Sequence, residues 1–124
     1  MTQMIRVVVA NRPRLMRELV IEAISNQPDI DILAEIQHED GIIGAVAEIL
    51  PDVLIIALDE VNQRPPLCDI LLRRFPDMKI LALAPERNCS FVYWSSFDIH
   101  ESFVEVSEAG ILSTLRRENQ AIGG

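Results

Sequence analysis

Runs rich in Val, Ile and Leu punctuate the chain at MIRVVVA (4–10), IDILAEI (30–36), DVLIIAL (52–58), KILALA (79–84) and IHESFV (99–104). The third and fourth runs are apolar almost without a break, the pattern of strands covered on both faces. The segments between them change to a helical period. Residues 13–26 repeat Leu15, Met16, Leu19, Val20 and Ala23 on one stripe, and 40–50 repeat Ile42, Ile43, Val46 and Ile49. Residues 66–75 carry Leu67, Ile70 and Leu71 and stop at Pro76, which cannot continue a helix. A fourth helix is expected over 88–96 with Asn88 as its cap. A fifth starts at Ser107, whose hydroxyl suits an N-cap before Ile111, Leu112 and Leu115. Strict alternation of strand and helix implies an α/β fold of parallel strands, right-handed crossovers and helices on both faces.

Composition agrees with one folded domain. Of 124 residues, 49% are apolar and 24% charged, which is globular and not disordered composition. The domain is expected over residues 1–118, with 119–124 as a C-terminal tail or truncated linker. The apolar runs are too short to span a bilayer, and no basic, apolar leader opens the chain, so a cytoplasmic protein without membrane contact is expected. Cys68 and Cys89 stand alone without a CxxC spacing, and His38 and His100 have no ligand-like companions. No metal or cofactor is expected from them.

A formal charge of −8 argues against direct nucleic-acid binding, because such a field repels phosphate backbones. Arg12, Arg14 and Arg17 form a small basic exception, read as a solvated helix start, with contact to an acidic partner as the alternative. A nucleotide site on this architecture wants a glycine-rich turn after the first strand, and ANRPR (10–14) contains no glycine. Ser90, Ser95 and Ser96 lack a histidine–acid pair. No enzyme activity is expected.

The order and spacing of these pieces resemble the response-regulator receiver domain, in particular receivers of helix-turn-helix transcriptional regulators. IRVVVANRPRLMREL is similar to that family's first strand and helix, NQPDIDILAEI to its second strand, ILPDVLIIAL to its acceptor segment and LLRRFPDMKILALA to its third helix and fourth strand. The likeness covers about residues 4–117. It implies a flavodoxin-like, five-stranded parallel sheet of order 2-1-3-4-5 and a role in two-component or phosphorelay signalling.

The resemblance also implies a set of chemical groups that this chain lacks. Receivers hold Mg²⁺ with an acid pair after the first strand and an aspartate after the third, which accepts the phosphoryl group. A hydroxyl after the fourth strand and a lysine after the fifth complete the site. Here these positions fall on Asn11, Arg12, Ala57, Ala84 and Val104. Asn11 offers a neutral oxygen where Mg²⁺ is usually held by carboxylates. Arg12 brings a positive charge, and two unit charges ~4 Å apart repel by about 4 kcal/mol at an effective dielectric of ~20. Ala57 has no nucleophile. Asp59, two residues on and on the same side of the strand, is the candidate atypical phosphoacceptor, or alternatively a salt-bridge partner for Arg12 in place of the metal.

These substitutions lead to a non-phosphorylatable pseudo-receiver that works by protein–protein interaction, with a histidine kinase or another regulator as candidate partner. The expected assembly is a homodimer through the face of the fourth helix, fifth strand and fifth helix. Tyr93, Trp94, Phe97 and Arg116 are its candidate interface residues, with Phe91 and Phe103 assigned to the core. Three alternatives stand beside this reading: the receiver part of a DNA-binding regulator whose effector domain is missing from this chain, a phosphoacceptor that uses Asp59, and a small-ligand sensor in the crevice at the strand ends.

Overall fold

The computed structural model describes residues 4–60, 63–84, 87–96 and 98–116. The elements are β1 (Ile5–Ala10), α1 (Arg14–Ser25), β2 (Ile30–Glu35), α2 (Ile42–Ile49), β3 (Val53–Ala57), α3 (Pro66–Arg74), β4 (Lys79–Ala84), β5 (Cys89–Ser96), β6 (Asp98–Phe103) and α4 (Glu108–Arg116). A short 3-10 turn, Glu39–Gly41, precedes α2. The proposed tail falls outside the described residues.

The strands form one sheet in the order β2-β1-β3-β4-β5-β6. β1 pairs in parallel with β2 and β3, and β3 with β4, so the first four strands keep the expected order. The remainder corrects the expectation of five parallel strands. Residues 89–96 are not a helix but β5, antiparallel to β4, and the strand expected at 99–104 is β6, antiparallel to β5 at the sheet's edge.

The physical reason is visible in CSFVYWSS. Neighbouring helical residues point about 100° apart, so a short helix cannot bury Phe91, Val92, Tyr93 and Trp94 together. A strand divides them between its two faces. Phe91 and Tyr93 join the core under α2 and α3, while Val92 and Trp94 join the core under α1 and α4. Aromatic and β-branched residues also favour the pleated surface. Asn88, expected as a helix cap, instead has φ 50° just before β5.

The sheet is covered on both sides. Val8, Leu54, Ile56, Ile80 and Ala82 pack beneath Ile42 and Val46 of α2 and Cys68, Leu71 and Leu72 of α3. Val7, Val9, Ile55, Leu81 and Leu83 pack beneath Val20 and Ile24 of α1 and Ile111, Leu112 and Leu115 of α4. The α1 stripe is rotated from its expected phase: Leu15 and Leu19 are 66% and 51% exposed. Ser107 caps α4 as expected, its hydroxyl accepting the Gly110 N–H at 2.9 Å. Among the described residues no helix is long and apolar enough to cross a membrane.

Candidate functional site

Parallel strands of this kind deliver their carboxyl ends to a common crevice, where ligand chemistry on open α/β sheets is usually found. β1 ends at Ala10, β3 at Ala57 and β4 at Ala84. A pocket of about 240 Å³ opens over the first two ends, with Ala10, Ile56 and Ala57 among its apolar lining and Arg12, Glu39 and Asp59 among its charged lining.

Asn11 is fully buried directly after β1. Its Nδ2 donates to the Ile56 carbonyl at 3.0 Å, stitching β1 to β3, while its Oδ1 has no partner among the described residues. The side chain therefore serves the sheet. Arg12 turns outward from the same bend. Its Nη2 donates to Asp59 Oδ2 at 2.9 Å and to Glu39 Oε1 at 3.3 Å. One nitrogen thus links the β1–α1 loop, the turn before α2 and the loop after β3. Arg87 holds the last of these at the same residue, donating Nη1 to the Asp59 backbone carbonyl at 3.0 Å. Strand spacing pointed to Asp59 as a salt-bridge partner for Arg12; the parts of Glu39 and Arg87 carried no local signal, because both meet the crevice through tertiary contacts.

The three arginines of the basic cluster have separate fates. Arg12 bridges the crevice, Arg14 pairs with Glu18 at 3.1 Å one helical turn on, and Arg17 is buried. Arg17 reaches Glu35 at 3.6 Å and donates to the Asn11 carbonyl at 3.4 Å.

The divalent ion that receivers use does not fit these residues. Asn11 has committed its amide to Ile56, the Arg12 guanidinium occupies the Asp59 carboxylate, and Ala57 brings only a methyl group. Among the described residues no group of three His, Cys, Asp or Glu side chains is placed to hold a metal. Burial pushes the Cys68 thiol up to about 12, which leaves it protonated and inert at neutral pH.

Val104, matched to the receiver lysine, stands away from this crevice. Leu83 pairs with Ser90, and Val104 donates its N–H to the Ser90 carbonyl, so β5 separates Val104 from β4. The side chain is buried with the α1 and α4 core.

The candidate interface also divides. Tyr93 is core, 2% exposed, and burial raises its hydroxyl above the usual tyrosine range. Trp94 is half-buried and stacks on His100 with ring centroids 5.4 Å apart. Arg116 is engaged by Asp29 at 2.8 and 3.0 Å and by Gln27 at 2.7 Å. Phe97 lies outside the described residues. Phe103, assigned to the core, is 61% exposed. A face of fourth helix, fifth strand and fifth helix is not formed as expected, because the first of these is β5.

No protein-family description and no curated protein sequence matches the chain. Solved structures do. RcsB from Salmonella enterica serovar Typhimurium, bound to the promoter rprA in the presence of phosphomimetic BeF₃⁻, is 17% identical with a TM-score of 0.56, over 64% of this chain and 42% of that one. A second structure of Salmonella typhimurium RcsB response regulator, described for its conformational dynamism in DNA interaction, is 18% identical with a TM-score of 0.55, over 66% of this chain and 42% of that one. This is a receiver-like fold. At such identities the likeness is one of architecture, and the chain spans about two-fifths of the length of the RcsB chains it matches.

Proposed function

We propose that this chain is a receiver-like regulatory module that acts by protein contact, without accepting phosphate, in cytoplasmic bacterial signalling or transcriptional control. The observation that carries the reading is the Arg12–Asp59 pair, 2.9 Å apart at the mouth of the crevice whose acceptor position is Ala57. A guanidinium fixed beside the carboxylate opposes a divalent cation and occupies the oxygen that the Asp59 alternative needs as its nucleophile. Nothing in this reading requires catalysis. A histidine kinase or a second regulator is the proposed partner, and homodimer formation belongs to the same proposal.

The test exposes the whole chain to Mg²⁺ with acetyl phosphate, and separately with beryllofluoride, and follows intact mass and melting. Neither should change. A phosphoryl adduct that disappears in Asp59→Ala would replace this reading with that of an atypical acceptor. A second reading, the receiver part of a DNA-binding regulator, draws its support from the promoter-bound RcsB structure. The gene's reading frame beyond Gly124 tests it, through the presence or absence of a helix-turn-helix segment.

A further inference from the structure

The sheet ends on two edge strands that are not equivalent. β2 is backed by α1, whereas β6 packs on β5 and makes no comparable contact with any helix among the described residues. Just past β6, Val104 donates its N–H inward to the Ser90 carbonyl at 2.9 Å. Inward and outward directions alternate along an antiparallel ladder, so Phe103, Glu101 and Ile99 turn their backbone groups away from β5. The Ile99 amide agrees with this: it donates to the Asp98 carboxylate at 2.7 Å and not to the ladder. Among the described residues, the amides of Glu101 and Phe103, with the carbonyls of Ile99, Glu101 and Phe103, are left for a further strand. Unpaired edge groups of this kind are what strand addition uses.

Side chains select the occupant. Ile99, Glu101 and Phe103 share the face of β6 that lies beside Phe91 and Tyr93. The exposed Phe103 ring meets Phe91 edge-on at 6.0 Å and offers an apolar seat. Asp98, Glu101 and the following Glu105 are all exposed. Among the described residues neither Asp98 nor Glu101 forms an ion pair. Arg64, which lies near Glu101, is already held by Asp69 through two bonds of 2.7 and 3.1 Å. A second copy is a poor occupant. The two-fold register that uses all three open residues sets Glu101 against Glu101 in a chain of net charge −8.

We propose that β6 docks an extended, basic segment of a partner protein, added antiparallel, with apolar, basic and apolar side chains opposite Phe103, Glu101 and Ile99. The inference rests on the reading of the chain as a contact module and names the chemistry of its partner. The crevice and the β6 edge are probed separately, so a failure of either proposal is recognisable as its own.

The test titrates the whole chain with the capped peptide Ile-Thr-Arg-Thr-Ile-Lys and follows amide hydrogen exchange residue by residue. Exchange at Glu101 and Phe103 should slow by at least about tenfold at saturation. A peptide with Glu in place of Arg and Lys should bind at least about tenfold more weakly. Glu101→Lys, an exposed substitution, should reverse that preference, and N-methylation of the peptide's Arg should abolish the protection. Equal binding of both peptides, protection away from β6 or none at all would overturn the proposal. So would protection of these amides by concentration-dependent dimerisation without peptide.

Discussion

The Ser90 hydroxyl donates to the Val104 carbonyl at 2.8 Å, with Ser90 wholly buried. The same pair is joined through the Val104 N–H and the Ser90 carbonyl, so the start of β5 and the chain leaving β6 are clasped twice. That clasp fixes where β6 ends and where the segment toward α4 begins. Ser90→Ala removes the hydroxyl and leaves a buried carbonyl short of a partner, a loss of about 1–3 kcal/mol. Denaturant unfolding should register it as a lower midpoint with an unchanged slope. A neutral result would mean that water reaches this carbonyl.

Tyr93 and Trp94 are sequence neighbours with opposite consequences. Tyr93 lies in the core beneath α3 and should cost about 3–5 kcal/mol on truncation to alanine, the range for large aromatic-to-alanine cavities. Trp94 is half-buried and its indole N–H is buried without a partner among the described residues. Trp94→Phe removes that unmet donor and keeps the stack on His100, so it should be neutral to within about 1 kcal/mol or slightly stabilising. Equal and large losses at both positions would contradict the division of β5 between two cores.

Much of this architecture was legible in the residue pattern, for identifiable reasons. β3 and β4 are almost continuously apolar because helices cover both faces of the sheet there, and β1 buries Val7 to Ala10 in the same way. The β5–β6 hairpin was harder to read, since strand–helix alternation and a cap at Asn88 suggested a helix where the local chemistry of Phe91, Val92, Tyr93 and Trp94 favoured a strand. Misplacing that one element also misplaced Tyr93, Phe103 and Val104. At the crevice, Asn11, Arg12, Ala57 and Ala84 lie on or next to strand ends, where counting along the chain located them. Glu39 and Arg87 arrive from loops far away in sequence, and only the folded chain brings them there.

Arg64 and Asp69 form a two-bond pair across the first turn of α3. The hydrogen bond from Arg64 holds the Asp69 carboxyl below its ordinary 3.8. Because the folded-state value is the lower one, the pair's contribution is complete above the unfolded value. It is lost as pH falls through the folded one. Asp69→Asn should therefore unfold more readily than the native chain at neutral pH, and the deficit should shrink steadily below about pH 4. Paired chemical-denaturation series from about pH 7 to about pH 2 would reveal this. A deficit that stays constant across the range would exclude ionisation of Asp69 as its source.

Arg12 contributes little to stability and much to what the crevice admits. Its side chain is 41% exposed, and those of Glu39 and Asp59 are 59% and 67% exposed, so Arg12→Ala should shift unfolding by no more than about 1 kcal/mol. The charge acts instead on incoming ions. Replacing Arg12 by Asp and Ala57 by Asp in one chain removes the repulsion and returns two hard oxygen ligands to the strand ends. That double variant should gain a saturable, Mg²⁺-dependent rise in melting midpoint, following the ordinary linkage between ligand concentration and stability. The native chain should show none, and Arg12→Ala alone little. A native chain that gains the same Mg²⁺-dependent stability would mean that Arg12 leaves Asp59 when a divalent ion approaches, and the guanidinium would then be a displaceable cover and not a barrier.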